Sequence, residues 1–191
     1  INESSLFTLP ERLESLPPFY LDELSMLWTE YLAGRGLAES RADPEGYLDI
    51  DDPLVQEFYA SLQLRYFDEL SDYLRGLGLK IPIAGSNFGL EGWDLLTNAS
   101  LDFIDRHLYW DHPSHNDDQV QFHNRLMIEH LQYGNLIIRL SRLHVKGKPF
   151  VVSEWNIGWP NEFRAIGPLL MAAYASFQDW DGLIQFNYQG E

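Results

Sequence analysis

Apolar residues return at helical spacing along the first part of the chain. Leu21, Leu24, Leu27, Trp28, Tyr31 and Leu32 recur three and four apart, which predicts a helix over about 21–33 that Gly34 and Gly36 stop. Residues 37–51 are polar and acidic and include Pro44 and Gly46, so they read as a loop. Asp52-Pro53 then supplies an N-cap followed by a first-turn proline. The helix it opens carries Leu54, Phe58, Leu62, Tyr66, Leu70 and Leu74 at four-residue steps and ends at Gly76 and Gly78.

Beyond residue 80 the pattern changes to short apolar runs between helical stretches. KIPIAGSN (80–87) and LDFIDRHLYW (101–110) read as strands, with room for a short helix between residues 88 and 100. A helix is expected over about 117–145. KPFVVSE (148–154) is a continuous apolar run, the pattern of a strand buried on both faces. A helix near 162–180 and a last strand, GLIQFNY (182–188), follow. Strands that alternate with helices imply parallel βαβ units, in either a doubly wound sheet or a (β/α)8 barrel. No internal repeat or low-complexity tract interrupts this order. The opening Ile-Asn-Glu, without Met, predicts a chain that starts inside a larger fold.

Charge narrows the choice of partners. Among 191 residues, 13 Lys+Arg stand against 29 Asp+Glu, a formal charge of −16. Such a surface repels phosphates, so neither nucleic acid nor an anionic membrane is an expected partner. No apolar run approaches the ~20 residues of a membrane span, and INESSLF lacks the basic and apolar regions of a signal peptide. There is no Cys, which removes disulfides, thiolate nucleophiles, Cys-zinc sites and iron–sulfur clusters without deciding the compartment. Aromatic residues make up 14%, rich enough to fill a core or to furnish a cleft with stacking platforms.

Polar residues gather at three predicted strand ends. Asn2 and Glu3 precede the first helical segment; His107, Tyr109 and Trp110 close one strand; Ser153, Glu154, Trp155 and Asn156 close another. In a barrel, the C-terminal ends of the strands are where catalytic residues collect. Two carboxylates flanked by His, Tyr and Trp suit cleavage of a glycosidic bond, one protonating the leaving oxygen and the other attacking the anomeric carbon.

With these residues in view, the chain resembles the C-terminal half of a clan-A glycoside hydrolase barrel of the cellulase and mannanase type. The matching residues are Asn2-Glu3, His107-Leu108-Tyr109 and Glu154 in SEWN, together with KIPIAGSN, GKPFVVSEWN and the stretch from Pro160 to Tyr188. The resemblance covers nearly the whole chain. It implies an α/β fold running from strand four to strand eight of a TIM barrel over residues 1–191, with an inserted helix and acidic loop at about 20–51. The strand-four to strand-seven units then average roughly 50 residues, against about 31 in a ~250-residue barrel, and the insertion and a long loop after Trp110 take up the excess. Strands one to three, with their Arg and His, have no counterpart.

The resemblance also implies roles. Glu154 is the nucleophile, Tyr109 donates to it, His107 stands beside it, and Glu3 is the acid/base, protonated at rest because Glu154 and burial raise its pKa. Asn2 contacts the sugar 2-hydroxyl. The expected activity is retaining hydrolysis of a β-linked oligo- or polysaccharide, the alternative being a non-catalytic carbohydrate-binding barrel. Trp110, Trp155 and Trp159 are candidate sugar platforms, Asn87 and Asn156 candidate polar contacts. Phe186 and Tyr188 stand where the clan often has Trp. The expected partners are a carbohydrate and the N-terminal half of the same barrel, in an extracellular or periplasmic setting. The stretch from Asp111 to Asp118 holds possible metal-ligand residues, but Pro113 and the lack of a helical His pair favour a polar loop over the cleft. No metal or cofactor is expected.

Overall fold

A computed structural model describes residues 4–8, 15–41, 43, 45–88, 92–116, 119–130 and 135–187. The chain is a mixed α/β structure around a small parallel sheet. Its helices are α1 (Pro18–Gly34), α2 (Pro53–Gly76), α3 (Gly92–Asn98), α4 (Leu136–Ser141) and α5 (Ile166–Phe177). Its strands are β1 (Ile104–Trp110), β2 (Ser114–Asn116), β3 (Gln119–Gln121), β4 (Phe150–Ile157) and β5 (Gly182–Gln185). The parallel sheet has the order β1-β4-β5, while β2 and β3 form a separate antiparallel hairpin.

The helices at 21–33 and after Asp52 are present. In α1, Leu24, Trp28 and Leu32 are buried at four-residue steps, and Pro18 occupies the first turn. In α2, Asp52 accepts a hydrogen bond from Leu54 N at 2.8 Å, the capping geometry that its type and position predict. The buried face of α2 is rotated from the expected one. Val55, Phe58, Tyr59, Gln63 and Phe67 point inward, whereas Tyr66 and Leu70 are exposed. Two stripes at steps of four run side by side on this helix, and α1, Tyr47 and α3 lie against the first. Trp28, Phe58 and Tyr59 anchor the resulting core, with Tyr59 OH donating to Tyr47 O at 3.1 Å.

Two expected elements are replaced. Residues 80–87 form no strand. Pro82 has no N–H to donate, Arg75 claims the carbonyls of Leu79 and Ile81, and Ile83 O and Asn87 O accept from Asp102 N and His107 N without forming a ladder. The helix expected over 117–145 gives way, among the described residues, to the β2–β3 hairpin, a 3-10 turn at Met127–Glu129 and the short α4. Side chains compete with the helical ladder here. Asp111 draws on the N–H groups of His123 and Arg125; Asn135 donates to Met127 O and His130 O and caps Ile137. The helix near 162–180 is shorter than expected, and the last strand ends at Gln185.

The second core lies between one face of the sheet and α4 and α5, built on Ile104, Leu108, Phe150, Val152, Leu140 and Met171. A buried polar seam joins α2 and α3 to β1. Gln63 donates to Asp94 and Thr97, and the Arg106 guanidinium lies 3.7 Å from Asp94 and donates to Ser86 O at 2.7 Å. Gly85 allows this closeness, because a Cβ there would stand 2.5 Å from Asn98 Oδ1 and 2.8 Å from Phe67. Among the described residues, no helix is long and apolar enough to cross a membrane.

Replacing Asp52 with Ala removes the α2 cap and should lower stability by about 1 kcal/mol in denaturant unfolding. Asp52→Asn, which keeps a capping acceptor, should recover most of that loss.

Candidate functional site

The site is built on the sheet face opposite the α4–α5 core. Strand geometry sends alternate residues to opposite faces, so Asp105, His107 and Tyr109 share one face of β1 while Ile104, Leu108 and Trp110 enter the core. On β4 the alternation is broken. Arg106 pairs with Val152 and His107 with Glu154, so Ser153 is the extra residue of a bulge. The bulge brings two consecutive side chains, Ser153 and Glu154, to the partners of β1.

Glu154 is held from both sides of its carboxylate. Tyr109 OH donates to Oε1, and His107 Nδ1 stands 3.4 Å from Oε2. The other imidazole nitrogen, Nε2, is 2.9 Å from Ser153 Oγ and 3.0 Å from the side-chain amide of Asn87. Asn87 is placed by His107 N, which donates to its carbonyl at 3.0 Å. Ser153 in turn donates to Asp105 through both its hydroxyl, at 2.8 Å, and its backbone N–H, at 3.2 Å. The result is a chain of contacts from Asp105, near the start of β1, through Ser153 and His107 to Glu154 in the C-terminal half of β4.

An open cavity of about 360 Å³ lies beside this chain, lined by Tyr109, His112, Asn156, Trp159, Phe186 and Asn187 among others. Among the described residues, no Lys, Arg, Asp or Glu contributes to its lining. Trp159 is 75% exposed and Phe186 is 52% exposed, so both offer ring faces to a ligand. Asn156 binds both ways across the sheet end, donating to Phe186 O at 2.5 Å and accepting from Gln185 at 3.2 Å.

Two expected platforms are corrected. Trp110 and Trp155 are 6% and 3% exposed and belong to the core under the sheet. Each follows a site residue by one position, and the two-residue period of a strand puts it on the far face. His107, Tyr109, Glu154 and Asn87 are brought together, and Trp159, Asn156 and Phe186 line the neighbouring cavity. Asn2, Glu3 and Tyr188 lie outside the described residues.

Sequence reasoning passed over Asp105 and considered Asp111 only as a possible metal ligand in a polar loop. The signal for Asp105 was its spacing, two residues before His107 on the same face. Asp111 has a positive φ of 52° and ties the cavity wall together. Its carboxylate accepts from His123 N, Arg125 N and the Asn161 amide at 2.9–3.1 Å. Burial alone would raise its pKa, but these donors and the His123 ring outweigh it and hold the carboxyl below the ordinary aspartate range. Gly158 completes the wall, since a Cβ there would meet Pro113 Cδ at 2.9 Å. Among the described residues, no group of three or more His, Asp or Glu is placed to hold a metal ion.

No protein-family model, no curated protein and no solved structure matches the chain.

Asp111→Ala would leave three donors without their acceptor and should cost about 1–3 kcal/mol, read as a lower melting temperature. Because the folded carboxyl is held low, its contribution is present above the ordinary aspartate value and is lost as pH falls through the lower folded value. The melting difference between wild type and Asp111→Ala should therefore narrow in acid.

Proposed function

We propose that the chain carries part of the active site of a retaining glycoside hydrolase, acting on a β-linked oligo- or polysaccharide. The observation that carries this reading is the Glu154 carboxylate in the C-terminal half of β4, taking a hydrogen bond from Tyr109 with the His107 ring beside it. A nucleophilic carboxylate has to stay ionised and keep its lone pairs aimed at one carbon. A phenolic donor on Oε1 fixes its orientation.

In this reading the sheet β1-β4-β5 supplies strands six to eight of a barrel. A sugar ring is held between the Trp159 and Phe186 faces, with its anomeric carbon near Glu154. A lining that is uncharged among the described residues suits a neutral sugar. Glu154 attacks that carbon to give a glycosyl-enzyme, while Glu3, placed by the resemblance, protonates the departing oxygen. Glu3 then deprotonates the water that releases the sugar with its configuration retained. Tyr109 holds Glu154 during attack and stabilises it as a leaving group when the ester breaks.

The test is covalent trapping. A 2-deoxy-2-fluoro glycoside with a good leaving group should add one fluoroglycosyl mass to the full protein, on the peptide that contains Glu154. Glu154→Gln should abolish the adduct and lower kcat by about 10³-fold or more. Glycan binding without any adduct or turnover would favour the non-catalytic barrel instead. Tyr109→Phe removes one hydrogen bond to a charged group, about 1.5–3 kcal/mol, and should slow hydrolysis by about 10- to 100-fold.

A further inference from the structure

The contacts around His107 specify more than its position. Asp105 is 2.8 Å from Ser153 Oγ and 3.2 Å from Ser153 N. An ionised carboxylate only accepts, so the single hydroxyl proton of Ser153 is committed to Asp105. The lone pairs of that oxygen are what remains for His107 Nε2, 2.9 Å away. A ring nitrogen that meets a lone pair makes a hydrogen bond only if it carries a proton. Asn87 Nδ2, a second donor, is placed 3.0 Å from the same nitrogen; the two ends of the amide have nearly the same shape, and a half-turn about χ2 puts Oδ1 there as an acceptor instead.

We propose that Asp105 is a positioning residue that acts through Ser153 to keep a proton on Nε2 of His107, leaving Nδ1 as the nitrogen turned to Glu154. The order is carboxylate, hydroxyl, imidazole, carboxylate, with each donor pointing away from Glu154. A second proton taken up by His107 then goes to Nδ1, 3.4 Å from the Glu154 carboxylate. The titratable side chains around the ring, among the described residues, are Asp105 and Tyr109 from β1 and Glu154 from β4. The segment 83–88 contributes the neutral Asn87. The bulge at Ser153 makes the arrangement possible, because strict alternation would turn Ser153 and Glu154 to opposite faces.

The kinetic consequence rests on the glycosidase reading; the location of the proton does not. The measurement is a long-range ¹H–¹⁵N correlation spectrum of the ¹⁵N-labelled full protein, taken where the ring is neutral. The His107 signals are identified by their loss in His107→Gln. Wild type should show the Nε2–H tautomer. In Asp105→Asn the new amide can donate to Ser153 Oγ, freeing the hydroxyl proton to turn toward Nε2, and the Nδ1–H tautomer should appear. Ser153→Ala removes the acceptor by an independent change and should weaken the same preference. An Nδ1–H tautomer in wild type, or an unchanged Nε2–H pattern in both folded variants, would overturn the proposal. Hydrolysis by Asp105→Asn should fall at least tenfold in kcat with KM little altered. The expected tautomers in a wild type that hydrolyses no glycoside would leave the proton assignment standing and remove the glycosidase reading.

Discussion

A guanidinium without water sets the terms for the middle of this structure. Arg106 is fully buried in β1, and burial lowers its pKa even though Asp94 and Asp105 oppose that effect. A charge in this position must be met by oriented oxygen atoms. Ser86 O and Asp105 O accept from Nη1, and Asp94 lies alongside. The first of these contacts holds the irregular segment 83–88 against β1 where no strand ladder does so. Asn87 reaches His107 because Ser86 is held by Arg106. The charged pair in the helix layer and the polar chain above the sheet are therefore parts of one arrangement.

The bulge in β4 does for the strand what Arg106 does for the loop. A regular strand would offer Val151, Ser153 and Trp155 on one face and Glu154 on the other. One extra residue resets the register, so that Trp155 enters the core while Ser153 and Glu154 both meet β1. Asp105, His107, Tyr109, Ser153 and Glu154 thus come from strands, the irregular segment adds Asn87, and Asn156 ties the end of β4 to the end of β5.

Much of this was legible in the chain. The cap at Asp52 and the strand around Phe150–Ile157 follow from local chemistry, and local chemistry is what a sequence displays most directly. The conjunction of His107, Tyr109 and Glu154 was also legible, because two strand-end motifs in a parallel sheet converge on one edge. The parts that differed depend on contacts between distant residues. Asp111 and Asn135 draw backbone groups away from a helix that the apolar spacing of 117–145 predicts. Arg75 does the same to the carbonyls around Lys80. Trp110 and Trp155 stood next to site residues in the chain, yet adjacency along a strand means opposite faces. The rotated face of α2 shows the limit of periodicity, since two stripes of equal spacing differ only in what lies beside them.

The Asp111 clamp has an evolutionary reading. It closes the base of the β2–β3 hairpin by joining Asp111 to His123 and Arg125, and it fastens that base to Asn161 beyond β4. The groups that close it at positions 123 and 125 are backbone N–H groups, which every residue type except proline supplies. Side-chain drift at those two positions therefore leaves the closure in place, whereas change at Asp111 itself removes it.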